Sequence, residues 1–153
     1  MQSDAFDLNR RDLFVAGAAG LAISALPAPV RAAETGAAEQ ANVKLVTDFL
    51  KAWDDNPVDP NKLGGFMAED CIVKLTVGEP PVSGRKAAID LFKSYLAKGE
   101  RYEIKVQNTF AKGPVVVTQR TDAQRGGGPA PALVGIFYIK GGKIQEWTDY
   151  PQS

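Results

Sequence analysis

The sequence predicts an α+β fold, in which a strongly curved, mixed or antiparallel sheet packs on three N-terminal helices and leaves a conical cavity between them. Apolar residues recur at helical spacing up to Gly99, and from there on the period changes from about 3.6 residues to 2. A Gly141-Gly142 pair then separates two period-2 segments, which is typical of a β-hairpin. Helices followed by a run of strands favour a sheet that is covered on one face.

Three helices are predicted before Gly99. The first covers about 39–53, because its apolar side chains share one helical face, and residues 54–57 (DDNP) end it. The second begins at Asp59-Pro60, with proline at the first helical position, and runs toward residue 67. The third helix begins at residues 83–85 (SGR) and ends at Gly99.

Five strands are predicted. The apolar run 71–77 is the first, and a rigid loop with two prolines follows it at 79–81. The other four strands cover 102–110, 115–123, 133–139 and 143–150. Residues 125–131, rich in glycine and proline, form the longest flexible loop.

The composition describes one globular domain and excludes several kinds of chemistry. The chain has 153 residues, of which 44% are hydrophobic and 24% charged. Its 18 basic and 18 acidic residues balance, so no net field favours nucleic acid or an anionic membrane as a partner. The lack of histidine removes the commonest general base and metal ligand, and Cys71 is the only cysteine. We therefore expect no metal and no cofactor.

Residues 1–32 have the order of an export signal. Arg10-Arg11 precedes an apolar stretch at 13–26, which is too short to span a bilayer comfortably, and residues 30–32 (VRA) fit a small-x-small cleavage site. The segment resembles a twin-arginine signal, which implies the twin-arginine translocase as a partner and a periplasmic or secreted protein. With cleavage after Ala32, residues 33–40 are a tether and 41–153 the folded domain. An uncleaved amphipathic helix is the alternative.

Two predicted strands carry carboxylates in a pattern that suits acid–base chemistry. Alternation over 115–123 puts four side chains on one face: Val116, Thr118, Arg120 and Asp122. On the last strand, Trp147 and Asp149 share a face. If both faces point into the cavity, Arg120 lies between two carboxylates, and one carboxylate is pushed toward the protonated form while the other remains a base. A solvated face with a surface ion pair is the alternative.

Several segments carry a family resemblance: 66–73 (FMAEDCIV), 80–92 (PPVSGRKAAIDLF), Arg120-x-Asp122, 134–144 (VGIFYIKGGKI) and 147–150 (WTDY). Together they resemble the limonene-1,2-epoxide hydrolase family of the nuclear-transport-factor-2-like, or SnoaL-like, superfamily. The resemblance covers most of 40–150 and implies a cone-shaped, cystatin-like fold.

The resemblance also implies a role for each member of the acid–base group. Asp149 matches the base that deprotonates water, Asp122 matches the acid that protonates the epoxide oxygen, and Arg120 matches the residue that bridges them. The implied reaction is one-step opening of a lipophilic epoxide by water, without a metal or a covalent enzyme ester.

The first strand departs from the family pattern. The family holds the attacking water with a Tyr and an Asn two residues apart, and here the pair becomes Val73/Leu75 or Lys74/Thr76, depending on the register. In the second register Thr76 could bind water and Lys74 would add a cation to the pocket. With Val73/Leu75, one residue instead of three would hold the attacking water.

The rest of the predicted pocket is apolar and suits a lipophilic small molecule. Its candidate residues, beside Thr118, are Val116, Leu133, Phe137 and Trp147. Two other functions stay open: a non-catalytic ligand-binding domain, and an isomerase or cyclase in which Asp122 or Asp149 abstracts a carbon-bound proton. The resemblance further implies a homodimer formed through exposed sheet faces.

Overall fold

The computed structural model describes residues 36–75 and 78–152, so the predicted export signal and Thr76 lie outside the described residues. The order of elements confirms the α+β class. They are α1 (Ala37–Ala52), α2 (Pro60–Gly65), β1 (Met67–Lys74), β2 (Val82–Ser83), α3 (Arg85–Ala97), β3 (Tyr102–Lys112), β4 (Val115–Gln124), β5 (Ala132–Lys140) and β6 (Lys143–Pro151). Within these ranges, none of the helices has the length and apolar character needed to cross a bilayer.

The strands form one mixed sheet in the order β2-β1-β6-β5-β4-β3. β1 runs parallel to β6, and every other neighbouring pair is antiparallel. A buried row crosses the inner face of the sheet through paired positions: Val116, Phe137, Trp147 and Val73. Helix residues such as Phe49 and Phe92 pack edge-on or tilted against Trp147 in this row, so the core lies between the helices and this face.

Helix α1 begins earlier than the sequence indicates, inside the segment predicted as a tether. The carboxylate of Glu39 accepts hydrogen bonds from the backbone N–H of Gly36, at 3.1 Å, and of Gly113, at 2.6 Å. Asn42 adds a bond from Nδ2 to the carbonyl of Gly113, at 3.0 Å. These contacts join the first turn of α1 to the β3–β4 turn. Residues 37–40 are therefore helical, which corrects the predicted tether over this part.

Strand β1 is displaced toward the N-terminus relative to the predicted 71–77. It begins at Met67, which pairs with Ile144 of β6, and the N–H of Ile144 bonds to the carbonyl of Phe66 at 2.9 Å. The acidic residues Glu69 and Asp70 are tolerated because they are exposed, near an irregularity in the β1–β6 register. A short strand, β2, lies in a segment predicted as loop and helix start, and it pairs antiparallel with β1.

Candidate active site

Arg120 and Asp149 reach the inner face from two strands that do not touch. In β4, burial alternates so that Val116, Thr118 and Arg120 are buried, and in β6 the same holds for Trp147 and Asp149. Strand β5 lies between these two strands. Only 1% of Arg120 and 4% of Asp149 is exposed, so both charges are inside the protein rather than on a solvated face.

The two carboxylates are bound to one guanidinium. Arg120 Nε donates to Asp122 Oδ1 at 3.0 Å and to Oδ2 at 3.3 Å, and its Nη2 donates to Asp149 Oδ2 at 2.5 Å. The other oxygen of Asp149, Oδ1, accepts from Trp147 Nε1 at 2.7 Å. Arg120 Nη1 also donates to the hydroxyl of Thr118 at 3.4 Å. Planar fork-like donors suit this task, because they orient both acids at once.

Gly135 makes room for this arrangement. It lies on β5 opposite Thr118 of β4 and opposite Asp149 of β6, directly under the path of the guanidinium. A Cβ at position 135 would lie 2.2 Å from Arg120 Nη1 and 3.0 Å from Asp149 Oδ1. Any larger residue would therefore displace the ion pair.

Burial and charge act on the three groups in opposite directions. Burial raises the pKa of Asp149, while hydrogen bonds from Arg120 and Trp147 oppose the shift. Burial also raises the pKa of Asp122 against the effect of Arg120, and the negative charge of Asp149 raises it further. For Arg120, burial lowers the pKa, but the two carboxylates outweigh it and leave the pKa raised. The site therefore retains a cation beside two acids that differ in their environment.

A cavity of about 320 Å³ opens above the three charged groups. Its walls are mainly apolar and aromatic, and its lining residues are Trp53, Leu75, Tyr95, Tyr102, Ile104, Arg120, Asp122, Pro131, Leu133, Trp147 and Asp149. The Tyr102 hydroxyl donates to Glu100 at 2.5 Å, and burial together with that carboxylate raises the pKa of Tyr102. A pocket of this size and polarity suits a small lipophilic molecule.

The predicted site residues divide into those that line the cavity and those that do not. Arg120, Asp122, Asp149, Trp147 and Leu133 line it. Three others are buried on the same inner face but are not lining residues: Val116, Thr118 and Phe137.

On the first strand, the side chains that face the inner side of the sheet are apolar. Val73 is 1% exposed and pairs with Trp147 of β6, and Leu75, one residue beyond β1, lines the cavity. Lys74 is half-buried and is not a lining residue, and Thr76 is outside the described residues. Of the two registers that the sequence left open, the arrangement corresponds to Val73/Leu75.

Sequence reasoning missed Gly135, Trp53 and the tyrosines of the cavity wall. A glycine inside the apolar strand 132–140 is a signal for close approach of another group, and it was available in the sequence. Trp53 has the spacing of a core position, and nothing local distinguishes it as a wall residue. Among the described residues, no group of three or more His, Cys, Asp or Glu is placed to hold a metal ion.

Replacing Gly135 by alanine tests whether the ion pair depends on the missing side chain. Because the new Cβ would collide with Arg120 Nη1, we expect Gly135→Ala to lower the free energy of unfolding by about 1–3 kcal/mol, measured by urea denaturation. Gly65→Ala in α2 is the matched control, since no atom lies within 4 Å of its added Cβ. Equal stability of the two variants would contradict the role given to Gly135.

Comparison with known proteins agrees with the observed fold. A family model described as the limonene-1,2-epoxide hydrolase catalytic domain matches residues 40–152.

Among solved structures, an LEH-like epoxide hydrolase from M. tuberculosis is 24% identical with a TM-score of 0.63, covering 74% of this chain and 84% of that one. An NTF2-like protein of unknown function from Mesorhizobium loti is 22% identical with a TM-score of 0.60, covering 75% and 93%. A protein with a ketosteroid isomerase-like fold from Catenulispora acidiphila, in complex with trimethylamine, is 18% identical with a TM-score of 0.61, covering 70% and 84%. These likenesses establish a nuclear-transport-factor-2-like fold, and the family match establishes that the chain belongs to the limonene-1,2-epoxide hydrolase family.

Proposed function

We propose that this protein is a small-molecule hydrolase that opens a lipophilic epoxide with water in one step. The observation that carries the proposal is a pair of carboxylates, Asp122 and Asp149, held by the single guanidinium of Arg120 at the base of an apolar cavity. The likeness to an LEH-like epoxide hydrolase from M. tuberculosis supports the same reaction class.

In the proposed reaction, Asp149 takes a proton from water as the water oxygen bonds to one epoxide carbon. The bond between that carbon and the ring oxygen breaks, and Asp122 donates its proton to that oxygen. The product is a diol, Asp149 is left protonated and Asp122 ionised, and proton exchange with solvent restores both. Arg120 stays charged throughout and keeps both acids in position.

The environments of the two acids favour these roles. Asp149 accepts from a charged donor at 2.5 Å and from Trp147 at 2.7 Å, and both bonds stabilise its ionised form. Burial, and to a smaller extent the negative charge of Asp149, raises the pKa of Asp122, which favours the protonated form there. Neighbouring carboxylates whose environments differ in this way can serve as an acid and a base at one pH.

A non-catalytic ligand-binding domain is the second candidate, and the apolar first strand favours it. Val73 and Leu75 supply neither a phenol nor an amide for the attacking water. Thermal stabilisation by a lipophilic epoxide without diol formation would favour binding alone. Exchange of a ketone's carbon-bound protons in heavy water would instead favour an isomerase.

Export remains a proposal drawn from residues 1–32, with the twin-arginine translocase as the partner and the periplasm or the exterior as the destination.

A homodimer is also proposed, on the outer face of the sheet. There Phe110, 60% exposed, belongs to a row of paired positions with Val117, Ile136 and Thr148 across β3 to β6. Exposed Tyr138 and Tyr150 extend this apolar face, and a patch of this kind marks an interaction surface.

Substituting either acid tests the hydrolysis. We expect Asp149→Asn and Asp122→Asn each to lower kcat/KM for diol formation by about 10²–10⁴-fold, since each removes a general acid or base. The assay is diol production from a panel of lipophilic epoxides that includes limonene oxide. Asp90→Asn is the control, because this exposed acid pairs with Lys86 and Lys93 on the surface of α3. Unchanged diol formation in both active-site variants would eliminate the mechanism.

The pH dependence of kcat/KM follows from the direction of the pKa shifts. Asp122 must be protonated to donate, and its raised pKa keeps it protonated to higher pH than an ordinary aspartic acid. Activity should therefore fall as pH rises through the pKa of Asp122, and fall again at low pH where Asp149 becomes protonated. The measurement is kcat/KM from acidic to alkaline pH. An activity that keeps rising into the alkaline range would mean that no carboxylic acid donates the proton.

The dimer is tested at the most exposed residue of the outer face. Phe110→Glu should convert the protein to a monomer, because a dimer interface cannot bury an unpaired charge without a large cost. Light scattering coupled to gel filtration measures the mass. Ser94→Glu, an exposed position on α3, adds the same charge elsewhere and should leave the mass unchanged. A monomeric wild type would rule out the proposed dimer.

A further inference from the structure

The wall of the cavity combines an excess of acid with aromatic side chains. One base and two acids line it, so their charges sum to −1 when both acids are ionised: Arg120, Asp122 and Asp149. The aromatic lining residues are Trp53, Tyr95, Tyr102 and Trp147. Negative charge and aromatic rings both attract a cation, and the rings favour one that is itself partly apolar.

Asp122 is the acid that a ligand in the cavity can reach most easily. Its side chain is 15% exposed, against 6% for Asp149 and 1% for Arg120. The oxygens of Asp149 accept from two donors, Arg120 Nη2 and the indole of Trp147. Both bonds to Asp122 come from the single Nε of Arg120, at 3.0 and 3.3 Å. Asp122 is therefore both more accessible and less fully compensated than Asp149.

A quaternary ammonium ion fits such a wall better than a primary one. A primary ammonium has three N–H donors, and each needs an acceptor when it leaves water. A mainly apolar wall supplies few acceptors. A quaternary ammonium has no N–H, and its alkyl groups gain from contact with aromatic side chains.

The proton of Asp122 and a bound cation oppose each other. Arg120 of the same strand, Asp149 of β6 and Tyr102 of β3 are the neighbouring groups that act electrostatically with this carboxyl. Burial raises the pKa of Asp122, and Asp149 raises it further, against the effect of Arg120. A cation beside Asp122 stabilises the ionised form, so it weakens proton binding, and the proton weakens cation binding by the same factor.

Two further charges adjoin the tyrosines of the wall and have opposite signs. Lys98 Nζ lies 5.6 Å from the ring centre of Tyr95. Glu100 accepts from the Tyr102 hydroxyl at 2.5 Å. Because these two charges oppose each other, the excess of one acid in the cavity remains.

We propose that the cavity binds a small quaternary ammonium ion, with its charge beside Asp122 and its alkyl groups against the aromatic wall. This activity is binding without turnover, so it does not rest on the proposed hydrolysis. Such an ion occupies the space of an epoxide and favours loss of the proton that Asp122 would donate. It therefore acts as an inhibitor of diol formation rather than as a substrate.

Pairs of ligands with one shape and different charge test the proposal. The probes are choline with 3,3-dimethyl-1-butanol, and acetylcholine with 3,3-dimethylbutyl acetate; in each pair a carbon atom replaces the charged nitrogen. Affinities are measured by ¹⁵N–¹H NMR titration at fixed ionic strength. With Asp122 ionised, we expect at least one cation to bind about three- to tenfold more tightly than its neutral partner. Ethanolamine, which has the charge of choline but carries N–H donors, should bind more weakly than choline.

Protonation of Asp122 should remove this preference. As the pH falls through the pKa of Asp122, the ratio of the two affinities should fall to about onefold, because the excess negative charge disappears. Asp122→Asn should show the low ratio at every pH. Asp90→Asn, an exposed acid on α3, is the matched control and should keep the wild-type ratio and its pH dependence. The pH series uses the wild-type protein, so it decides the question even if Asp122→Asn folds poorly.

Four results overturn the inference: no preference in either pair, a preference that is unchanged as Asp122 becomes protonated, a preference that persists in Asp122→Asn, or ethanolamine binding as tightly as choline. Diol assays separate this inference from the proposed function. Cation binding without diol formation from any epoxide refutes only the hydrolysis, and diol formation without a preference for the cation refutes only the ammonium site.

Discussion

The buried guanidinium of Arg120 is the interaction on which the inner face of the sheet depends. An ion moved from water into a protein interior is costly unless charged or hydrogen-bonding partners compensate, and 1% of Arg120 stays exposed. Asp122 from the same strand and Asp149 from β6 supply that compensation, through bonds of 3.0 and 2.5 Å. The dependence is mutual, since burial alone would neutralise either acid at this depth. The same bonds hold both acids in fixed places, as the proposed proton transfer requires.

This charge arrangement constrains a strand that contributes no charged group to it. Because β5 separates β4 from β6, the guanidinium must cross β5, and it does so over Gly135. Glycine in a strand interior normally weakens the strand, and here the ion pair that it admits offsets that loss. Alternation along two strands assigned Arg120, Asp122 and Asp149 to faces but left a solvated face open, and the family resemblance implied that Arg120 bridges the two acids. It could not identify Gly135, because the space above a glycine matters only once the group that fills it is known.

The fold was predictable to the extent that it depends on local pattern. Period-2 alternation and glycine turns placed β3 to β6 within two residues of their observed ends. The errors occur where a distant residue decides the boundary. Strand β1 begins early because Met67 pairs with Ile144, and α1 begins early because Glu39 binds the N–H of Gly113. Hydrophobic spacing carries no information about partners that are distant in the sequence. A segment of charged or small residues that such a partner holds in a helix or strand is therefore interpreted as a loop.

The apolar first strand changes what the cavity can recognise. Val73 and Leu75 are apolar where the family resemblance implies a phenol and an amide, and the charged groups Arg120, Asp122 and Asp149 are bonded to one another. Recognition then depends on shape, apolar contact and any donor that the protein leaves free. Sites built around a buried polar group reject analogues that lack its partner far better than apolar pockets reject analogues of similar size. Because the wall of this cavity is mainly apolar, it distinguishes ligands chiefly by size and shape, at about 1–3 kcal/mol per methylene group.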